Sequence, residues 1–309
     1  MTETTPTQRL LGFCAASIIV CLWSGWIVTT RSGATSPLTI YDIAVLRFGV
    51  SGLIAFPFLM YFRAWRGLTI KKMLITSQAA GILYILIIFG AFKLAPAAHG
   101  GVFMNGVLPA ITMLLGWMWF RDIPHKMQLA GTCLIVVGAA MTLLGSDQSN
   151  TPNAWQGDLL FIAAGLFFAT YMVLTRLWQL TNLQILFCSS VVNGFIIVPI
   201  WYLFLPSGIL ETALPEIVLQ VVYQGIVATL IGMLLVAFAV RHIGAPTVAA
   251  FMSAVPGVAA LLGLLILGEE FGLLGWLSLL VLTPGILMTA IFKSKPAQVV
   301  TKNDAKNTV

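Results

Sequence analysis

Nine side chains set in long apolar runs have the types and spacing to hold a small solute: Trp23, Tyr84, His99, Phe103, Asn105, Phe168, Tyr171, Gln224 and Phe251. Polar groups are costly in the middle of an apolar span, so they face a cavity or another helix. His99, Phe103 and Gly106 stand at i, i+4 and i+7, on one helical face. That stripe could line a cavity, and the imidazole could titrate near neutral pH; the alternative is a histidine closing a helix end onto a loop carbonyl. Asn105 could contact a solute or make an interhelical hydrogen bond of order 1 kcal/mol, and Gln224 is open in the same way. Tyr84 and Tyr171 could line a site or pack in the core with satisfied hydroxyls. Trp23 and Trp26, at i and i+3, could stack on a flat solute or belong to an interfacial aromatic belt, with Trp23 the deeper of the two. Arg47 could snorkel outward, pair with Asp42 or face an anionic group. This is the chemistry of non-covalent recognition.

Catalytic constellations are missing. Neither HExxH nor GxSxG occurs, and His99, His125 and His242 do not form a ligand set with the cysteines. Cys14, Cys21, Cys133 and Cys188 lie inside apolar runs without a CxxC pair, as small core residues do. No phosphate-binding loop is present, so neither ATP nor another cofactor is implied, and no metal is expected. The chain reads as no enzyme.

The elements that must position these residues follow from composition. The chain is 59% hydrophobic and 8% charged, with a mean hydropathy of +0.99. A water-soluble domain is about a quarter charged, so the solvent here is the lipid bilayer, in which helices satisfy their own backbone groups. A β-barrel is disfavoured, because the apolar runs are continuous rather than alternating. Although the net charge is +6, no basic face with interleaved aromatics exists, which excludes nucleic acid as a partner.

Ten apolar runs follow the short polar segment Met1 to Arg9: Leu10 to Thr30, Tyr41 to Phe62, Met73 to Phe92, Ala97 to Phe120, Met127 to Gly145, Trp155 to Leu174, Leu183 to Leu205, Pro215 to Val240, Ala245 to Leu267 and Phe271 to Phe292. Each is long enough to cross about 30 Å of hydrocarbon. The first is too long for a signal peptide and lacks a clean cleavage site. Residues 146–154 form a turn-rich linker and residues 293–309 a polar, disordered, cytoplasmic tail. Ten crossings put both termini on one side. Placed in the cytoplasm, that side holds Arg9, Arg63, Arg66, Lys71, Lys72, Arg121, Lys126, Arg176, Arg241, Lys293, Lys295, Lys302 and Lys306, against Arg31 and Lys93 outside. This bias obeys the positive-inside rule. Most acids, Asp158, Glu269 and Glu270 among them, fall at outer run ends. No Asp or Glu is expected in the hydrocarbon centre of any run.

The chain repeats itself. At an offset of 148, Ala91 meets Ala239, Lys93 meets Arg241, Phe103-Met104 meets Phe251-Met252 and Arg121-Asp122 meets Glu269-Glu270, with Pro109 and Pro256 within one residue of register. At an offset of 145, Gly12 meets Gly157, Trp23 meets Phe168 and Arg31 meets Arg176. The expected architecture is an all-α membrane protein of ten transmembrane helices in two five-helix repeats, residues 10–145 and 155–292. An odd number of crossings per repeat makes the repeats inverted, an arrangement that places a site between them and works by alternating access. Gly81, Gly90, Gly225 and Gly232 would permit close packing that can shift, and the prolines in helices four and nine would free backbone carbonyls.

These features resemble the drug/metabolite transporter superfamily in its EamA-like ten-helix branch. Carrying the resemblance are Trp23 to Trp26 (WSGW) followed by Arg31, Arg47 in the second helix, Gly157 to Leu159 (GDL), and Pro256 with the Leu267-Gly268-Glu269 ending. Trp119 to Pro124 (WFRDIP) departs from that ending in the first repeat. The resemblance implies a bacterial inner-membrane carrier of small organic metabolites, amino acids or related compounds, moved outward through a central cavity; bacterial aromatic amino-acid exporters are similar. A carrier of nucleotide-like or sulfonium metabolites is the alternative, and it predicts a charged cavity. With no carboxylate in the first helix, a carboxylate-driven pump is disfavoured; facilitated diffusion, exchange or coupling through His99 remain.

Overall fold

In the computed structural model, residues 6–145, 153–292 and Ser294 are described. Most of the expected linker and nearly all of the tail lie outside these residues. Among the described residues, ten helices are long and apolar enough to cross a membrane: α1 (Pro6–Thr35), α2 (Ile40–Tyr61), α3 (Ile70–Leu94), α4 (Ala97–Phe120), α5 (Lys126–Leu144), α6 (Ala154–Leu177), α7 (Asn182–Phe204), α8 (Leu214–Ile243), α9 (Ala245–Leu267) and α10 (Gly272–Ile291). These are the ten expected runs, with α1, α3, α6 and α8 longer by about a turn or more. The first helix continues past Thr30 to Thr35, so Arg31 is helical rather than part of a loop. The partner of Arg31 there is Glu269, in the segment between α9 and α10.

Packing follows a pattern of exchange between the halves. α1 lies on α8 as α6 lies on α3, and α1 lies on α9 as α6 lies on α4. α2 packs on α7, α4 on α9 and α5 on α10, each helix against its own counterpart five helices along. This is the pairing expected of two repeats related by a pseudo-two-fold axis.

Small residues let the backbones approach, because apolar side chains gain little by leaving lipid and close contact must supply the attraction. A Cβ on Gly131 would sit 2.7 Å from the Gly285 carbonyl oxygen, and one on Gly138 would sit 2.7 Å from the Leu282 Cβ. The same α5–α10 seam holds a hydrogen bond of 2.7 Å between the Thr142 and Ser278 hydroxyls. On the α2–α7 seam, Gly194 faces the Phe48 carbonyl. Of the four glycines expected to allow close approach, Gly81 and Gly225 are tightly enclosed, whereas Gly90 and Gly232 have room.

Several helices that surround the centre are irregular within their spans. α3 breaks at Ala80 and Gly81. Asn193 of α7 fills the break: its Nδ2 donates to the Ser77 carbonyl at 3.0 Å, and its Oδ1 accepts from the Ile82 amide at 3.3 Å. Widened π turns occupy Gly101–Gly106 in α4 and Val221–Ile231 in α8. Such turns re-aim side chains within a helix and occur often at functional sites.

Gly131→Ala should lower thermal stability in detergent, because the added methyl meets backbone and overpacking costs about 1–3 kcal/mol. Gly257→Ala, whose methyl would meet nothing within 4 Å, should leave the transition unchanged or slightly raised. Equal transitions for the two variants would contradict the packing described.

Candidate functional site

A single cationic side chain anchors the centre. Arg47 of α2 is half-buried. Its guanidinium donates from Nη1 to Gln224 Oε1 at 3.1 Å and lies 5.5 Å from the centre of the Trp26 ring. The same Gln224 oxygen accepts from Trp26 Nε1 at 2.7 Å. Gln224 Nε2 donates to Thr30 Oγ1 at 2.9 Å and to Gln220 Oε1 at 3.2 Å. Gln220 Nε2 in turn donates to the Thr29 carbonyl at 2.7 Å and to Glu216 Oε1 at 2.9 Å. Glu216, Gln220 and Gln224 follow at i, i+4 and i+8 on α8, so one helical face carries an unbroken polar ladder to the arginine. No carboxylate pairs directly with Arg47 among the described residues.

Beside this junction lies a cavity of about 480 Å³, within the range of small-molecule sites. Its wall includes Trp23, Trp26, Arg47, Tyr84, Met104, Asn105, Phe168, Tyr171, Ser189, Thr229 and Met252, from eight helices of both halves. The rings form a continuous panel: Tyr84 and Phe168 lie 5.5 Å apart, and Phe168 and Tyr171 5.4 Å apart. Asn105 Nδ2 is buried without a hydrogen-bond partner. From Trp26 and Arg47 the lining runs to Met172 near the end of α6 and Ile185 near the start of α7. That is the end of the bundle at which α1 starts and α10 stops.

The structure thus brings five of the nine expected residues onto one wall: Trp23, Tyr84, Asn105, Phe168 and Tyr171. Gln224 stands directly behind the wall, fully buried, where it orients Trp26 and Arg47. His99, Phe103 and Phe251 are elsewhere. The His99–Phe103 stripe is enclosed by protein instead of lining the cavity. His99 Nδ1 lies 2.8 Å from Asp158 Oδ1, with both side chains almost wholly buried. Asp158, expected as an acid at an outer run end, is therefore inside the bundle, joining α6 to α4. Its run end reads as a loop from sequence because a partner 59 residues away is invisible there. Phe251 packs against Phe13 and faces a shallow groove with Ser17 and Ala250. Asp42 does not pair with Arg47: it caps α2 through Thr39, accepts from Trp201 Nε1 at 2.7 Å and from the Gly208 amide at 2.8 Å. The expected set lacks Trp26 and Arg47; the spacing of Glu216, Gln220 and Gln224 was the signal for their polar backing.

Ion pairs join the halves at both ends of the bundle. Arg31 Nε donates to Glu269 Oε1 at 2.6 Å, and the side chains are 11% and 18% exposed. Arg31 Nη1 also donates to the Phe92 carbonyl, and Glu269 Oε2 accepts from the Ala97 amide at 2.7 Å, capping the start of α4. At the opposite end, Arg176 donates to both oxygens of Asp122 at 2.5 and 3.3 Å. Here the arginine is 53% exposed, and Asp122 makes no bond to the start of α9 among the described residues. Arg31 and Arg176 are repeat equivalents. Asp122 supplies the carboxylate in the segment where the first repeat departs from the Leu-Gly-Glu ending.

A second hollow, about 590 Å³ between α2 and α7, is lined only by glycine, proline and apolar side chains. It offers no polar side chain to orient a solute. No three His, Cys, Asp or Glu side chains gather as metal ligands would among the described residues.

Comparison with known proteins bears on the family and the fold. An uncharacterized transporter of Bacillus subtilis (strain 168), YetK, is 25% identical over 235 residues, 72% of this chain and 69% of its own. A second from that organism, YwfM, is 27% identical over 207 residues, 66% of this chain and 68% of its own. A solved crystal structure superposes with a TM-score of 0.59 at 20% identity, covering 91% of this chain and 96% of its own, which supports the fold alone. The model of the EamA-like transporter family matches residues 10–144 and again 155–291. With nearly the whole membrane bundle so matched, the chain is a ten-helix membrane transporter that belongs to the EamA-like family.

Proposed function

We propose that this transporter carries small organic metabolites, of amino-acid size, outward across a bacterial inner membrane by alternating access. The observation that carries the reading is the cavity walled by both halves, in which an aromatic panel faces a single fixed cation. Rings supply broad, stiff contact area for a flat or apolar body, and the guanidinium and the Asn105 amide supply orientation. No nucleophile lies beside a base on this wall, so binding and release is the chemistry it supports.

The two ion pairs support the alternating step. Glu269, two residues past the end of α9, binds Arg31 of α1 and the start of α4 at one end, where both side chains of the pair are mostly buried. Asp122 holds only an exposed arginine at the other end, toward which the cavity extends. In the mirrored state, Asp122 would gain the start of α9 as Glu269 now has α4, while the Arg31 pair would become exposed. The Lys- and Arg-rich helix ends lie on the side the cavity reaches. If that side is cytoplasmic, the cavity faces the compartment from which an exporter loads.

Uptake of labelled amino acids and related metabolites into proteoliposomes, with and without a pH gradient, tests the carrier. One chemical class should show saturable uptake, and Trp23→Ala or Tyr84→Ala protein that keeps its thermal transition should lose it tenfold or more. Folded protein that moves no compound in the panel would contradict the reading. A second measurement tests the step. Glu269→Gln leaves the mostly buried Arg31 uncompensated, at about 3–5 kcal/mol, enough to reverse a balance of a few kcal/mol between two states. The distance between spin labels at Thr35→Cys and Glu270→Cys should lengthen in that variant but not in Arg176→Gln. Unchanged distances in Glu269→Gln would count against the pair as a latch.

A further inference from the structure

The charge of the cavity says more about its occupant than its size does. Arg47 is the one ionisable group of fixed charge on the wall among the described residues, and no Asp or Glu lines it. The carboxylate nearest along the ladder is Glu216, eight residues up α8 from Gln224, about 12 Å of helix. It is engaged by Gln220 and Ser32. Asn105 Nδ2 is buried with no partner and is a donor; the Asn105 oxygen and the tyrosine hydroxyls can accept, but none of them carries the negative charge an ammonium needs. The acceptor on Gln224 is already filled twice, by Arg47 and by Trp26.

Resting on the carrier reading above, we propose that the solute of this cavity is an organic monoanion: a carboxylate on a flat or branched apolar body, with no ammonium group beside it. A carboxylate on Arg47 supplies the counter-charge that a lipid-embedded guanidinium lacks, and it accepts from Asn105 while the body lies along Tyr84, Phe168 and Tyr171. A zwitterion places its ammonium two bonds from that carboxylate, close to the guanidinium and without an acidic partner. Cation–π contact is no substitute near the arginine, because the Trp26 face already holds the guanidinium. A sulfonium or amine meets like charge, and a phosphate ester of two or more charges meets only one cation.

Three compounds that differ only in the charged end separate these cases: 3-phenylpropionate, phenylalanine and 2-phenylethylamine. Calorimetric titration of the purified protein in nanodiscs should give affinity for the acid at least tenfold above that for the amino acid, and no heat from the amine. Arg47→Gln should cost the acid tenfold or more, Arg47→Lys should restore part of it, and Asn105→Ala should weaken it several-fold in protein with an unchanged thermal transition. Phenylalanine or the amine binding as tightly as the acid, with that binding lost in Trp23→Ala, would overturn the monoanion class and leave the carrier reading standing. Binding of none of the three would overturn the class together with the cavity as a solute site.

Discussion

A guanidinium held inside a lipid-embedded bundle is the constraint on which the centre of this protein depends. Arg47 cannot be left unsolvated, so the fold brings it an acceptor, an aromatic face and a void. The acceptor, Gln224, is held by Gln220, and Gln220 by Glu216 and the Thr29 carbonyl. These bonds fix α8 against α1 along the side of the cavity. The void lets water or an anion complete the arginine's shell. A purely apolar centre would pack more tightly and would have nothing to select.

The second organising feature is the repeat. Helices α1 and α6, which match at a few positions along the repeat, carry Arg31 and Arg176 to opposite ends of the bundle. Their carboxylate partners come from the other half, so each pair spans the boundary along which the halves would move. The pairs are not equal in this structure. One is enclosed and caps a helix start, while the other is half in solvent. The prolines and π turns lie between these ends, in α4, α8 and α9, where the backbone can change pitch without losing a whole turn.

The ten helices were legible because crossing a bilayer imposes a length and a composition that any window of sequence reveals. The aromatic wall was largely legible too: Trp23, Tyr84, Phe168 and Tyr171 sit deep in their runs, where only a core or a cavity can take them. Contacts between distant residues were not. His99 and Asp158 each lie near a helix start, where an isolated polar residue reads as a rim or cavity group; only the fold reveals that they face each other. Arg47 had three open readings, and its sequence neighbour Asp42 proves to be turned away to cap its own helix. Asp122 was read as a departure from a motif, yet it makes the equivalent ion pair one residue out of register with Glu269.

A solute that this protein carries must occupy the space beside Arg47. Ser189 lines that space on α7, so a Ser189→Cys protein with its four native cysteines replaced offers a direct probe. In proteoliposomes of known orientation, a membrane-impermeant thiol reagent should label Cys at this position from the side that bears the chain ends of α1 and α10. Saturating 3-phenylpropionate should slow that labelling, and the protection should vanish with Arg47→Gln. Labelling at the same rate with and without solute, in protein that transports it, would place the solute elsewhere and contradict the account.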